Sequence, residues 1–335
     1  MITTSNGIAT MRAVTQQRYG GPEVLEIKEV LKPSPQGNEL LIRVHAAPIT
    51  AAGSFMRAGT PYLGRLVLGL FSPKSTTPGV CFSGEVEAVG KDVEMFAIGD
   101  PVFGETLFHQ GTQAQYVCVR EDEVIATKPA NITHAEAAPV CDGLLTSMNF
   151  LNHVTALKTG QRILIIGASG SLGTAAVQIA VEKGAQITGV CSSSNVDLVN
   201  SLGAHDVIDY KKTDFTKNGL TYDVIFDTVG KSSFNECKKV LTEHGVYMSP
   251  VLNFQLLCHS VWTSKWSKKK AKFSATGIQP KQELKKMLYQ IKELIMDEKL
   301  QNVIDRKYTF DQVMEAHAYV DSGRKQENVV LLIKH

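Results

Sequence analysis

The 335-residue sequence has no hydrophobic run long enough to cross a membrane. Its most apolar segment, residues 62–71, is interrupted by Arg65, and a spanning helix needs roughly 20 consecutive apolar residues. Hydrophobic residues make up 43% of the chain and charged residues 20%, which are values typical of folded globular proteins. We therefore expect about two domains and no membrane partner.

Closely spaced cysteines are also absent. None of the six cysteines belongs to a C-x-x-C pair. Scattered thiols in a chain of this length, with no secretory leader, are typical of a reducing compartment. We expect a cytoplasmic protein without a disulfide framework.

The sequence has little net charge, because 35 Lys and Arg nearly balance 33 Asp and Glu. A net charge of +2 indicates no dedicated polyanion partner. One local exception is the basic segment 265–272, which holds five lysines and has Trp262 and Trp266 interleaved with it. Such a composition suits RNA or an acidic surface. Lysines in a loop before an edge strand are more often a solvated face, so we expect no nucleic-acid partner and keep RNA binding as an alternative.

The stretch that organises the chain is residues 162–209. Residues 162–166 read as a buried strand, the turn Gly167–Gly173 follows at once, and a helical pattern begins inside that turn. The pattern is A-x-G-x-x-G, with Ala168 in place of the first glycine. Gly170 lets the backbone approach a diphosphate and Gly173 lets helix and strand pack closely. A second strand, residues 186–191, arrives at the distance of about 20 residues expected of a dinucleotide-binding fold.

The end of that second strand distinguishes between coenzymes. An acid there would bind the 2′-hydroxyl of NAD and repel the 2′-phosphate of NADP, but residues 191–195 contain no acid. Their hydroxyls and amide can donate to a phosphate, and Tyr210 ends the next short strand with two lysines beside it. These residues favour NADP(H). The alternative is that the serines only form a polar turn.

Short strands separated by glycine and proline run from Met11 to about Lys128 and predict a β-barrel-like domain without a long helix. Residues 1–10 are expected to be a frayed lead-in. A helix over 134–152 then leads into alternating strands and helices. Strands are predicted at 223–227, 245–249 and 272–276, which completes a six-stranded parallel sheet.

Ligands of such sheets bind at the carboxyl ends of the strands. Residues at two such ends should border the nicotinamide half of the coenzyme: Thr228, Val229, Gly230, Ser249 and Pro250. The tail after Pro280 is too short to stand alone and is expected to complete the first domain. The predicted boundaries are 11–138, 139–277 and 278–335.

Several motifs together resemble the medium-chain dehydrogenase/reductase superfamily, in its zinc-free quinone oxidoreductase (zeta-crystallin-like) branch. They lie at 46–59, 78–90, 99–104, 167–178, 202–204, 207–210, 222–230, 303–306 and 322–324. The resemblance covers nearly the whole chain. It implies an α/β protein with a GroES-like β-barrel catalytic domain, a Rossmann domain with a doubly wound parallel sheet, NADP(H), and a homodimer.

The resemblance also assigns coenzyme contacts residue by residue. The turn and helix start would hold the diphosphate through Ala168, Ser169, Gly170, Ser171, Leu172 and Gly173. The 2′-phosphate would lie near Ser192, Ser193, Asn195 and Tyr210, although several relatives have a lysine where this chain has Asn195. Further contacts match Thr146 and Arg324. Thr146 could equally be an ordinary helix-face residue, and Arg324 a solvated charge.

Zinc alcohol dehydrogenases of this superfamily need a cysteine in the first catalytic loop, a His-Glu pair after Pro-Gly and a second cysteine. Catalytic zinc takes three protein ligands plus water. Here the loop reads 49–54 without a cysteine, and Pro78-Gly79 is followed by Val80-Cys81. We expect no zinc, and we interpret Cys81 as a small buried residue.

An enzyme without a Lewis acid suits acceptors that delocalise negative charge, so we expect an NADPH-dependent reductase of a small apolar carbonyl or quinone. Candidate catalytic residues are Thr50, Ser54 and Tyr62, although a tyrosine in this apolar setting more often packs. The segments 62–71 and 251–258 could wall an apolar substrate pocket or form a dimer surface. The alternatives are an NAD(P)-dependent alcohol dehydrogenase and a non-catalytic, NADPH-sensing RNA-binding protein.

Overall fold

A computed structural model describes residues 4–5, 8–107 and 110–335. They divide into two units. The first contains the described residues up to Asp142, together with Lys281–Met296 and Asn302–His335, and the second contains Gly143–Pro280 and Asp297–Gln301.

The strands in chain order are β1 (Thr4–Ser5), β2 (Ile8–Thr15), β3 (Glu26–Leu31), β4 (Glu39–Ile49), β5 (Cys81–Val89), β6 (Pro101–Glu105), β7 (Tyr116–Arg120), β8 (Val124–Thr127), β9 (Arg162–Ile166), β10 (Gln186–Cys191), β11 (Asp206–Asp209), β12 (Tyr222–Asp227), β13 (Leu241–Ser249), β14 (Lys270–Phe273), β15 (Ile304–Thr309) and β16 (Asn328–Leu332). The α-helices are α1 (Ala51–Ala58), α2 (Arg65–Leu68), α3 (His134–Ala137), α4 (Thr146–Asn149), α5 (Ser171–Glu182), α6 (Val196–Ser201), α7 (Phe234–Cys237), α8 (Phe254–Trp266), α9 (Lys281–Met296) and α10 (Val313–Asp321).

The first unit is built on a sheet of order β15-β16-β4-β5-β6-β8, with β7 also paired to β4, and on the smaller sheet β1-β2-β3. The long strand β4 is buried along most of its length and pairs with three neighbours. Strand β16 from the end of the chain pairs antiparallel with β4, so the tail joins the first sheet. Phe82, Val86 and Val329 belong to the buried core of this unit.

The second unit is a parallel sheet of order β11-β10-β9-β12-β13-β14. Its central strand β9 presents Ile163, Leu164 and Ile165 without solvent exposure, as expected of a parallel strand covered on both faces. The order reverses between β9 and β12, and this is the switch point where α/β sheets bind ligands. The predicted strands 162–166 and 186–191 are confirmed to the residue.

Three expectations about individual elements were wrong. Thr4–Ser5 and Ile8–Thr10 already belong to strands, so the lead-in is shorter than predicted; residues 1–3 and 6–7 of it lie outside the described part. The last strand of the parallel sheet was predicted at 272–276 and lies at Lys270–Phe273 (β14). The start of the basic segment 265–272 is the end of helix α8 rather than a loop.

The helix predicted over 134–152 is divided. α3 ends at Ala137, and the chain then winds as π-helix over Cys141–Leu145 and Phe150–Val154, on either side of α4. None of the helices in the described ranges is both long and apolar enough to cross a bilayer.

Candidate functional site

The glycine turn joins the end of β9 to the start of α5. Gly167 has a φ of +78°, a left-handed conformation that a side chain disfavours. A Cβ at Gly173 would overlap the carbonyl oxygen of Gly167, so Gly173 is required for close packing of helix against strand. Both glycines are therefore explained by the fold itself.

Gly170 has a different reason to be glycine. It is the N-cap residue of α5 in an extended conformation (φ −86°, ψ 171°), and no side chain caps the helix. A Cβ there would meet only the Gly167 carbonyl oxygen, at an ordinary 3.5 Å. The helix start thus presents backbone amides and positive dipole to open space, which fits a diphosphate.

The other predicted residues of the turn are held by burial or by hydrogen bonds within the second unit. Ala168 is fully buried and Ser171 nearly so. Ser169 Oγ accepts a hydrogen bond of 2.9 Å from Asn195 Nδ2. The Leu172 carbonyl accepts from Ser147 Oγ at 2.8 Å. The contact between Ser169 and Asn195 joins the turn to the end of β10, which are the two segments that the diphosphate and the 2′-phosphate were predicted to contact.

The serine segment after β10 lies beside a carboxylate that the sequence analysis did not weigh. Ser192 Oγ and Ser194 Oγ are 3.1 Å apart, and Ser193 Oγ donates to Asp209 Oδ2 at 2.6 Å. Asp209 ends β11, the neighbour of β10 in the sheet. Its hydrogen bond from Ser193 lowers the pKa of the carboxyl, so Asp209 is ionised at neutral pH. The predicted 2′-phosphate region therefore contains an acid, from the adjacent strand.

Tyr210 follows Asp209 and is largely exposed, with its backbone N–H donating to the Cys191 carbonyl. The Nζ of Lys212 lies 3.5 Å from Asp209 Oδ2. The region combines hydroxyls, a tyrosine and a cation with one carboxylate. A signal for Asp209 was present in the sequence, since parallel pairing places the ends of neighbouring strands at the same edge.

At the end of β12, the buried Asp227 shapes the turn that contains Thr228, Val229 and Gly230. Its carboxylate accepts hydrogen bonds from the backbone N–H groups of Val229 (3.1 Å) and Gly230 (2.8 Å). Thr228 Oγ1 donates to the Ile166 carbonyl at 2.8 Å. The two neighbouring strand ends, of β9 and β12, are thereby fastened together beside the glycine turn.

The remaining predicted coenzyme contacts are three residues near strand and helix ends of the second unit, and Arg324 in the first unit. Ser249 ends β13 and its Oγ accepts from the Val251 N–H at 3.2 Å, with Pro250 between them. Thr146 begins α4 and its Oγ1 accepts from Thr276 Oγ1 at 2.9 Å. Arg324 lies in the first unit on an exposed turn after α10. Their contacts with a coenzyme stay predictions.

The first unit contains a cavity of its own. Its lining includes Thr50, Gly53, Cys81, Gln16 and Gln113. Thr50 caps α1, and its Oγ1 accepts from the Gly53 N–H at 2.9 Å.

The other two candidate catalytic residues are not part of this lining. Ser54 Oγ is buried and has no hydrogen-bond partner among the described residues. Tyr62 is 74% exposed and its ring lies against the Arg65 guanidinium. Of the three candidates, Thr50 alone lines the cavity.

A buried polar chain leads to the cavity from α10. Arg57, on α1, forms an ion pair of 2.5 Å with Asp321, and its Nη1 lies 2.8 Å from His317 Nδ1. His317 Nε2 lies 3.0 Å from Gln113 Oε1. Arginine can only donate, so Nδ1 accepts and Nε2–H donates to Gln113. Burial, with Arg57 second, lowers the pKa of His317 to about 3, which keeps the ring neutral. The sequence analysis missed these residues.

The next feature of the site is its set of possible metal ligands. Within residues 4–5, 8–107 and 110–335, no three or more His, Cys, Asp and Glu side chains are grouped so that they could hold a metal ion. Burial raises the pKa of the Cys81 thiol well above its usual value, although a thiolate is what zinc requires. The donor set of the cavity does not fit a catalytic zinc.

The architecture and the helix start define the class of two-domain oxidoreductases that combine a GroES-like domain with a nucleotide-binding parallel sheet. Residues 36–129 match the model of the alcohol dehydrogenase GroES-like domain, and residues 202–331 match the model described as zinc-binding dehydrogenase.

Individual relatives narrow this class. The chain is 31% identical to the NAD(P)H oxidoreductase RTN4IP1, mitochondrial, of Bos taurus, over 98% of this chain and 91% of that one. It is 28% identical to the 2-methylene-furan-3-one reductase of Solanum lycopersicum, over 96% and 79% respectively. The solved quinone oxidoreductase of Coxiella burnetii superposes with a TM-score of 0.85 at 27% identity, over 97% of this chain and 100% of that one.

The chain belongs to the quinone oxidoreductase branch of the medium-chain dehydrogenase/reductase superfamily, and the predicted family and fold class are confirmed. It is therefore an oxidoreductase with a nicotinamide coenzyme.

Proposed function

We propose that this oxidoreductase transfers a hydride from NADPH to a quinone or an α,β-unsaturated carbonyl without zinc. The observation that carries the proposal is the start of α5, where an opening beside Gly170 faces backbone amides that no side chain caps. The coenzyme bound there supplies the hydride from its nicotinamide ring. The chain's own residues hold the diphosphate and, in the first unit, enclose an acceptor.

The acceptor class follows from the chemistry of the cavity. When hydride adds to carbon, a quinone or enone moves an electron pair onto its oxygen, and a proton then completes the hydroquinone or enol. Such acceptors delocalise the charge, so they need hydrogen-bond donors rather than a metal ion. Thr50 is our candidate for proton transfer because it lines the cavity; Ser54, whose Oγ is buried outside that lining, is a weaker candidate. Tyr62 is a weaker one because its ring is solvated beside Arg65.

For NADP(H) over NAD(H), the support is that β10 ends without an acid and that its serines, Asn195 and Tyr210 can donate to a phosphate. Asp209 opposes this preference. Its charge is partly compensated, because Ser193, the Lys211 N–H and the Lys212 ammonium all contact it.

Zinc independence is supported by the donor set, since Thr50 replaces a thiolate and Cys81 is held as a buried thiol. Elemental analysis of the purified protein should find less than one zinc per ten chains. Turnover should persist after treatment with a chelator. Stoichiometric zinc, or activity that a chelator abolishes and zinc restores, would instead support the alcohol dehydrogenase alternative.

The RNA-binding alternative is weakened by the contacts of the basic segment. The Nζ groups of Lys269, Lys270 and Lys272 donate to backbone carbonyls, and Lys268 pairs with Glu243. Most of the ammonium groups of the basic segment therefore already have hydrogen-bond or ion-pair partners within the second unit. RNA retention measured at two salt concentrations should find no salt-sensitive complex.

We further propose a homodimer, a cytoplasmic location and domain boundaries at 138/139 and 277/278. Edge strand β14 and the exposed aromatic side chains of α8 support the dimer. The scattered thiols support the location.

The deciding experiment follows the absorbance of the reduced coenzymes at 340 nm. Oxidation of NADPH and of NADH is measured with 1,2-naphthoquinone and with a cyclic enone. The reverse reaction, reduction of the oxidised coenzymes, is measured with a secondary alcohol. We expect turnover with the quinone or the enone, and a lower KM for NADPH than for NADH. Folded protein that binds neither coenzyme in a calorimeter would exclude the proposal.

A further inference from the structure

The cavity of the first unit is lined by two buried carboxamides that the proposed function does not yet use, Gln16 and Gln113. Gln16 is 4% exposed and Gln113 is 2% exposed. Because a buried amide is costly without partners, each of their polar atoms needs an explanation.

The orientation of the Gln113 amide is fixed from one side. His317 Nε2–H donates to its Oε1, and Arg57 and Asp321 hold His317 in that tautomer. The oxygen of the amide is therefore occupied, and its Nε2 hydrogens are the groups left to donate to a ligand.

The backbone of Gln113 is equally well fixed. Its N–H donates to the Pro78 carbonyl at 3.0 Å, and its carbonyl accepts from the Val14 N–H at 2.9 Å. Gly79, with a φ of +91°, lies so close that a Cβ there would meet Gln113 Cγ at 3.0 Å. The backbone of Gln113 is thus held between strand β2 and the segment before β5, and its side chain packs against Gly79, before any ligand arrives, as a preorganised donor requires.

Gln16 offers the opposite polarity. Its Oε1 is buried and has no hydrogen-bond partner among the described residues, while its backbone N–H is held by the Thr76 carbonyl. The same lining also includes the apolar residues Pro48, Met56 and Val80. These two groups, a donor at Gln113 Nε2 and an acceptor at Gln16 Oε1, match a carbonyl oxygen of the hydride acceptor. That oxygen accepts a hydrogen bond before the reaction and carries a proton after it.

We infer that Gln113 donates from Nε2 to the carbonyl oxygen of the acceptor, that Gln16 accepts from the hydroxyl of the reduced product, and that His317 is the positioning residue of Gln113. This inference rests on the proposed function. The hydride adds two electrons to the acceptor carbon, the π pair moves to the oxygen that Gln113 contacts, and a proton from solvent or from the Thr50 hydroxyl gives the O–H whose hydrogen bond Gln16 accepts. The oxidised coenzyme is the other product.

The test compares Gln113→Met, which keeps the shape and removes the donor, with Gln115→Met as the matched control. Gln115 lies two residues further on, bonds to Arg12 and Lys334 backbone groups and does not line the cavity. We expect Gln113→Met to lower kcat/KM for a quinone or an enone roughly ten- to a hundred-fold, mainly in kcat. The dissociation constant of NADPH should stay within about twofold of wild type.

His317→Phe and the double variant test the positioning role. If His317 acts through Gln113, then His317→Phe lowers kcat/KM in the wild-type background but has little further effect in Gln113→Met. Effects of the two substitutions that multiply would remove His317 from the inference. Thermal melting identifies any variant that fails to fold.

A binding measurement without turnover supplies a second readout. Cyclohexanone and methylenecyclohexane share a shape and differ in the carbonyl oxygen, and NMR titration of the coenzyme-free protein gives both dissociation constants. The wild type should prefer the ketone over its isostere several-fold more strongly than Gln113→Met does. An unchanged ratio, or wild-type kcat/KM in Gln113→Met, would overturn the inference while the reductase activity stands. A wild type that reduces no acceptor would overturn both.

Discussion

Gly170 and Gly173 are both glycine, but for two different physical reasons. Packing requires Gly173, whereas Gly170 has room for a side chain and extended φ/ψ angles. Gly170→Val should therefore fold like the wild type and weaken NADPH binding at least ten-fold, because the valine occupies the space of the diphosphate.

The control is Gly64→Ala in the first unit, where a new Cβ meets nothing closer than 4.0 Å. Isothermal titration gives the dissociation constants and circular dichroism the melting temperatures. Unchanged NADPH affinity in Gly170→Val would show that the diphosphate lies elsewhere.

Asp209 is the residue that most directly opposes a 2′-phosphate. Asp209→Asn keeps an acceptor for Ser193 and removes the negative charge, so we expect NADPH to bind about fivefold more tightly, from Coulomb repulsion in a high-dielectric setting. NADH affinity should change less. Competition titrations of both coenzymes at low and high salt measure this.

Asp206→Asn is the matched control, since Asp206 is at the opposite end of the same strand β11. If Asp209→Asn instead weakens NADH and leaves NADPH unchanged, the carboxylate binds a ribose hydroxyl, and the preference for NADP(H) is wrong.

Of the site residues, those whose partners are close in the sequence could be predicted, and those whose partners are distant could not. Gly170 was found because turn, helix and strands are contiguous in the chain. Parallel pairing indicates that Asp209 and the serines lie at the same sheet edge, but the contact between Asp209 and Ser193, 16 residues apart, required the register of β10 on β11. The contact of Gln113 with His317 joins residues 204 positions apart, and no local pattern indicates such a pair.

At the scale of elements, pairing of β5 with β6 places Glu105 opposite Cys81 in a buried environment. Burial, followed by repulsion from Asp142 and Glu123, raises the pKa of Glu105 to about 8. The unfolded chain releases this proton near pH 4.5, whereas the folded chain keeps it up to about pH 8. The folded state therefore binds more protons between these values, and its stability falls as pH rises.

Glu105→Gln cannot ionise, so its stability relative to wild type should increase from pH 5.5 to pH 8.5. The slope is limited to about 1.4 kcal/mol per pH unit for one group. Urea denaturation midpoints at the two pH values measure the difference. The exposed Glu29, replaced by Gln, should show no such pH-dependent gain, and an equal gain there would assign the effect to overall charge.

Strand prediction succeeded for β9 and β10 because a continuous apolar run between glycine and polar turns has few other interpretations. Helix prediction gave no bounds for α8. That helix exposes Phe254, Val261 and Trp262, and its apolar residues do not follow one face. Helix prediction also did not place the π-helical turns beside α4, although Pro139 precedes the first of them and Gly143 lies inside it.

At the scale of the whole molecule, a six-stranded parallel sheet was predictable because alternating strands and helices specify one. The order of its strands was not predicted, because alternation alone leaves that order open. The tail was expected to complete the first domain because it is too short to stand alone, but its pairing with β4 was not predicted. Oligomeric state is different. The two apolar candidates, segments 62–71 and 251–258, gave no basis for choosing between a pocket wall and a dimer surface, because periodicity does not reveal what covers an exposed side chain.

The structure distinguishes these surfaces by their neighbours. In the second unit, α8 leads into β14, which ends the sheet order, and unpaired edge strands associate readily with another copy. Leu66 and Phe71 of the first unit are also exposed, but Leu66 belongs to the four-residue helix α2 and Phe71 to the bend after it, and neither is part of a strand. We expect the dimer to use the side of α8 and β14.

Replacing Trp262 and Trp266 together by Ser should therefore convert a dimer into monomers of 36.5 kDa, because each tryptophan contributes some 150–250 Å² of buried surface to an interface. Sedimentation velocity at micromolar concentration measures the mass, and the parallel Leu66→Ser/Phe71→Ser variant should remain dimeric. Dissociation by the Leu66/Phe71 pair alone would assign the interface to the first unit. A monomeric wild type would leave both surfaces without a second copy of the chain, and the aromatic residues of α8 would then need another partner.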